Sequence, residues 1–144
     1  MSRVLVVANE TVEAEELLAE LRRIEDERSS TFYVVAPALA TDHGLGDSWN
    51  QAGAIDAAQT RLDRTLAVLR EEGLECDGSV GDMVPFAAVR DALDRFEADL
   101  IVISTHPPTR SRWLRKDFVE QVRKSFRIPV VHVVSHVREG KPAV

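Results

Sequence analysis

Four short apolar runs punctuate the chain: Val4-Leu5-Val6-Val7, Phe32-Tyr33-Val34-Val35-Ala36, Leu100-Ile101-Val102-Ile103 and Val130-Val131-His132-Val133-Val134. They are rich in β-branched residues and do not alternate with polar ones. Unbroken apolar runs of this length predict strands covered on both faces, as in a parallel sheet. A fifth segment, Glu75-Cys76-Asp77-Gly78-Ser79-Val80, is more polar and predicts an edge strand.

The stretches between the runs repeat apolar residues every three or four positions. Leu17, Leu21 and Ile24 form one such stripe, and Ala58, Leu62, Leu66 and Leu69 a second. Phe86, Val89, Leu93 and Phe96 form a third, and Leu114, Phe118 and Val122 a fourth. Each stripe predicts a helix with one buried face. Thr11 suits the N-cap of the first helix, Gly73 the stop of the second and Pro85 the first turn of the third. Asp99 and Pro129 punctuate the entries to the fourth and fifth strands. The resulting order, βαβαβαβαβ, predicts an α/β domain with a parallel sheet and right-handed crossovers.

One long connection is expected, from Pro37 to about Gly53. It holds Gly44, Gly46, Asp47, Ser48 and Asn50, with Trp49 as a lid or packing residue. There is no internal repeat or low-complexity tract. The expected domain is 1–137, followed by a polar tail, 138–144.

Composition narrows the class. A chain of 144 residues, 44% hydrophobic and 29% charged, suits one core-forming domain and excludes a disordered or collagen-like polymer. The apolar runs fall far short of the roughly 20 residues that span a bilayer, so no membrane association is expected. Met1-Ser2-Arg3 leads directly into the first run, which does not read as a secretory signal. Cys76 is the single cysteine, so an internal disulfide and a cysteine-based metal site are excluded, and a cytoplasmic setting is expected. A net charge of −6 argues against nucleic-acid binding. The charge is uneven, however. Residues 104–127 carry seven basic side chains against Asp117 and Glu120.

Open α/β sheets bind ligands beyond the carboxyl ends of their strands, where the strand order reverses. The residues that follow each strand are therefore the candidates for chemistry. They are Asn9, Glu10 and Thr11; Pro37 and Ala38; Gly81 and Asp82; Ser104, Thr105, His106, Pro107 and Pro108; and Ser135 and His136. The dinucleotide and P-loop glycine motifs are absent, as is the nucleophile elbow of α/β hydrolases. His43, His106, His132 and His136 show no helical metal-ligand spacing, so no metal site is expected. His132 lies inside a strand and suits a core or interface position, whereas His106 lies at a strand end. Ser111 suits the N-cap of the fourth helix. Its free N–H groups, with Arg110, Arg112, Arg115 and Lys116 nearby, would favour an anion; the bland alternative is a solvated basic helix face.

Three local patterns together resemble the universal stress protein family over nearly the whole chain. The first is Val4-Leu5-Val6-Val7-Ala8-Asn9, although the family usually has Asp where Asn9 stands. The second is Val80-Gly81-Asp82 with Pro85, followed by Ala98-Asp99-Leu100-Ile101-Val102-Ile103. The third is Phe118-Val119-Glu120-Gln121-Val122 followed by Ile128-Pro129-Val130-Val131. The resemblance implies a Rossmann-like five-stranded parallel sheet of order 3-2-1-4-5 with helices on both faces. It also implies a nucleotide site, which some members use for ATP. Binders typically carry Gly-x-x-Gly, about nine residues, then Gly-Ser or Gly-Thr. Here Ser104 and Pro107 stand at glycine positions, and Lys116-Asp117 falls about where Gly-Ser would. Proline removes an N–H donor, and Asp117 would oppose phosphate.

These readings converge on a small regulatory, stress-response binding protein with a degenerate nucleotide or phosphate site. The ligands considered are AMP, ATP or phosphate, weakly held by Asn9, Pro37, Gly81, Ser104, Thr105, His106, Arg110, Ser111, Arg112 and Lys116. No nucleophile–base pair marks it as an enzyme. Two alternatives are a phosphoryl-accepting receiver-like domain and a weak phosphate-ester hydrolase. The first would use Asn9-Glu10, Asp82 and Thr105, but Ser135-His136 replaces the expected lysine. The second would use His106 and the arginines. The edge strand Val130, Val131, His132, Val133 and Val134 is too apolar to stay bare, which predicts a homodimer through it; the family's dimers commonly use this strand.

Overall fold

Val4, Leu5, Val6 and Val7 are all buried to within 1% of complete, as an unbroken apolar run must be at the centre of a two-sided sheet. The computed structural model describes residues 2–8, 15–38, 51–81, 84–105 and 118–134. They form β1 (Ser2–Ala8), α1 (Glu15–Glu27), β2 (Ser30–Pro37), α2 (Gln51–Glu71) and β3 (Glu75–Gly81). These are followed by α3 (Pro85–Arg95), β4 (Leu100–Thr105), α4 (Val119–Ser125) and β5 (Val130–Val134). The strands make one sheet of order β3-β2-β1-β4-β5, with every neighbouring pair parallel.

Two cores sandwich the sheet. On one face Leu17, Leu21 and Ile24 of α1 and Ala58, Leu62, Leu66 and Leu69 of α2 pack on Val4, Val6, Phe32 and Val34. On the other, Ala88, Val89 and Ala92 of α3 and Val119 and Val122 of α4 pack on Leu5, Val7, Ile101 and Ile103. The alternation of side chains along β1 supplies both faces at once. The first two stripes read from the sequence are the buried faces of α1 and α2, and Val89 and Val122 of the other two are buried on α3 and α4. Phe86 and Leu93 are partly buried members of the second core.

Local chemistry sets the element ends. Gly73 takes φ 84°, a left-handed conformation that glycine adopts without steric cost. Its N–H donates to Arg70 C=O at 3.0 Å, and the Leu74 N–H donates to Leu69 C=O at 3.0 Å. Leu69 and Leu74 are both buried in the same core. Together these close α2 with a Schellman turn. Pro85 opens α3 at a position where its missing N–H costs nothing. At the start of β4, Asp99 N–H donates to Arg3 C=O at 2.7 Å and Asp99 Oδ2 accepts from Arg3 N–H at 3.0 Å. This exchange fixes the entry of β4 beside β1.

The long connection is shorter than expected at both ends. Pro37 is the last residue of β2, and Gly53 lies inside the first turn of α2. Gln51, Ala52 and Ala54 are good helix formers that outweigh one glycine. Thr11, Leu114 and Trp49 lie outside the described residues, as does 135–144.

Candidate functional site

The sheet runs outward from β1 in two directions. β2 and β3 lie to one side, β4 and β5 to the other. The two crossovers that leave β1 and β3 pass on opposite faces, so the strand order reverses between β1 and β4, the place where open α/β sheets take their ligands. Ala8 and Ser104 are register partners at this reversal. Ser104 also pairs with Val133, and only 1% of it is exposed. Thr105, the last residue of β4, is in register with Val134.

The neighbouring strand ends lie on the same carboxyl edge of the sheet. Pro37 and Gly81 are register partners, and Ala38 N–H donates to Gly81 C=O at 3.2 Å. Gly81 is required by packing. A methyl group there would lie 2.7 Å from Ala88 Cβ and 2.8 Å from Val35 Cγ2. The close approach brings the start of α3 down onto the end of β3.

Of the sequence-derived candidates, the structure thus places Pro37, Gly81, Ser104 and Thr105 along one carboxyl edge, Thr105 by its backbone. Asn9, His106, Arg110, Ser111, Arg112 and Lys116 lie outside the described residues. Arg61 was not singled out by the sequence. It sits on α2 beside the end of β2, partly buried, and its Nη2 donates to Pro37 C=O at 3.3 Å. One arginine among the polar positions of a long helix gives no signal until the helix is placed against the strand.

A separate hollow of about 210 Å³ lies between β3 and α3, lined by Val35, Ser79, Gly81, Ala88, Asp91 and Arg95 among others. Tyr33 and Ser79 share a 2.7 Å hydrogen bond near it. Among the described residues no group of three or more His, Cys, Asp or Glu side chains could hold a metal ion. No described helix is long and apolar enough to cross a membrane.

The topology defines a doubly wound α/β protein. The model of the universal stress protein family matches residues 1–134, and the chain belongs to that family. A search of curated proteins finds no match. Among solved structures, the Archaeoglobus fulgidus universal stress protein in complex with dAMP is 21% identical, with TM-score 0.62, over 92% of this chain and 97% of that one. A Burkholderia pseudomallei protein of the family is 16% identical, with TM-score 0.65, over 93% and 96% of the two chains. A universal stress protein in complex with cAMP is 16% identical, with TM-score 0.52, over 93% and 98%. At these identities the likeness establishes the shared fold.

Proposed function

We propose that this protein is a small regulatory, stress-response protein of a reducing, cytoplasmic setting that acts by binding, not turnover. Its ligand is an adenine nucleotide or simple phosphate, held in the crevice between the carboxyl ends of β1 and β4. The observation that carries this reading is the reversal of strand order at Ala8 and Ser104. The dAMP and cAMP held by two structural neighbours support the ligand class.

The site is degenerate. Ser104, a buried side chain, stands where the binding motif has its first glycine, and Pro107 and Asp117 replace two further elements. ATP is therefore held no more tightly than about 100 µM, or about −5.5 kcal/mol. Arg110, Ser111, Arg112 and Lys116 supply the cationic side of the site, and Arg61 steadies its β2 wall.

The protein pairs with a second copy through β5. Support comes from the position of β5 at the sheet edge and from Val130, Val131 and His132, which remain partly exposed. Native mass spectrometry of freshly purified protein tests the reading. The expected mass is that of two chains, with adenine-nucleotide adducts only when AMP is added at millimolar concentration. ATP retained through purification would overturn the degenerate site, and no adduct with AMP, ATP or phosphate would overturn binding.

A further inference from the structure

The two edges of the sheet are treated differently. β3 pairs only with β2, and Gly81 C=O accepts from Ala38 N–H. In a parallel ladder a residue turns both backbone groups to one side, and successive residues alternate. Glu75, Asp77, Ser79 and Gly81 therefore face β2, while Cys76, Gly78 and Val80 direct their backbone groups away from the sheet. An incoming strand would engage Cys76 C=O and Gly78 N–H together, because this acceptor and donor flank Asp77 on the open side. Both are already occupied. Arg70, in the last turn of α2, donates from Nη2 to Cys76 C=O at 3.1 Å. Gly78 N–H donates to Asp77 Oδ1 at 2.9 Å. Glu75 and Asp77 are also exposed, so two β3 edges brought together would oppose like charges.

β5 is built otherwise. Ile101 N–H donates to Pro129 C=O at 2.9 Å, so Val130 turns its backbone groups outward. Val130 C=O accepts from Arg123 Nη2 at 3.4 Å, a contact at the first residue of the strand. β5 contains no acidic residue.

We propose that β3 is a closed edge. Arg70 and Asp77 occupy the acceptor and the donor that flank Asp77, so a further strand cannot pair at the middle of β3. The closure of β3 stands on these contacts and does not rest on the β5 dimer proposed above.

Analytical ultracentrifugation of the full chain tests this. Wild type, Arg70→Ala/Asp77→Ala, and the same pair combined with Val131→Lys are compared, with far-UV circular dichroism as the check on folding. Wild type is expected to give one species at all concentrations. The double variant is expected to form larger species, with association strengthened about tenfold or more. The triple variant is expected to pair through β3 alone. A folded double variant that sediments as wild type does would overturn the closed edge. Should the double variant unfold, Asp77→Leu, which keeps the side-chain bulk and removes the acceptor, is read by amide exchange: faster exchange at Gly78 supports the cap, and unchanged exchange refutes it. A monomeric wild type would overturn the β5 dimer alone, since the double variant would still report on β3.

Discussion

Gly81 and Ala88 meet so closely that a methyl group added to Gly81 would lie 2.7 Å from Ala88 Cβ. This contact joins the end of β3 to the first turns of α3, and it stands beside Pro37 at the carboxyl edge of the sheet. Gly81→Ala should therefore cost about 1–3 kcal/mol, the scale of overpacking in a filled core. Gly78→Ala should cost more, because there the added methyl meets the Val34 carbonyl and Leu62, and backbone cannot step aside as a side chain can. Urea unfolding of the two variants measures both. A Gly81→Ala cost within about 0.5 kcal/mol of zero would mean that the helix rides further from the strand than described.

Arg61 makes a different kind of prediction. Its guanidinium is partly buried, and its described hydrogen bond runs to a backbone carbonyl at the mouth. Replacing a buried charge with an apolar side chain of similar volume is often neutral or stabilising. Arg61→Met should leave thermal stability unchanged or slightly raised, while AMP affinity falls several-fold because the Pro37 carbonyl at the end of β2 loses this donor. Calorimetric unfolding and AMP titration separate the two effects. A loss of stability above about 2 kcal/mol with unchanged AMP affinity would make Arg61 a structural residue only.

Cys76 should titrate late. Burial pushes its thiol above the ordinary 9.0, opposed by the neighbouring Arg70 guanidinium and aided by Asp77. The folded state thus keeps its proton at a pH where the unfolded chain has lost it. The thiol's contribution to stability is present below the unfolded value and is lost as pH rises through the folded one. Iodoacetamide alkylation followed against pH should reach half its maximal rate at a higher pH in the folded protein than in the urea-unfolded chain, and Arg70→Ala should move the folded midpoint higher still. A folded midpoint below that of the unfolded chain would show that Arg70, not burial, governs the thiol.

The strands and helices were legible because their periods differ. Val4–Val7 and Leu100–Ile103 are continuous apolar runs, and Leu17, Leu21 and Ile24 repeat at helical spacing. The polar β3 was legible as an edge for the same reason, since one face of it carries Glu75, Asp77 and Ser79. Gly73 read correctly as the stop of α2 because a left-handed residue is needed there. Parallel pairing could be argued from those runs, but the order of the strands came with the family resemblance. Strand order depends on which face each crossover takes, and local pattern does not encode that. The Arg61 contact and the Arg70 and Asp77 caps were not legible either. Each is a polar side chain in a polar position until the helix or the edge it serves is placed in space.

The basic stretch after β4 also has a direct consequence. If Arg112 holds the anion, Arg112→Ala should weaken AMP or phosphate binding by about 1.5–3 kcal/mol, the scale of a charge-assisted hydrogen bond. Titration of the variant against wild type checks this, and equal affinity would reduce the stretch to a solvated face.

The central claim is that ligand binds between the carboxyl ends of β1 and β4, and an AMP titration followed by amide shifts of labelled protein tests it most directly. The account predicts that the shifts cluster at Ala8, Ser104 and Thr105, extend to Ala38 and Gly81 on the neighbouring wall, and saturate in the high-micromolar to millimolar range. Shifts confined to Ser79, Asp91 and Arg95 around the β3–α3 hollow, or no movement at millimolar AMP, would contradict it.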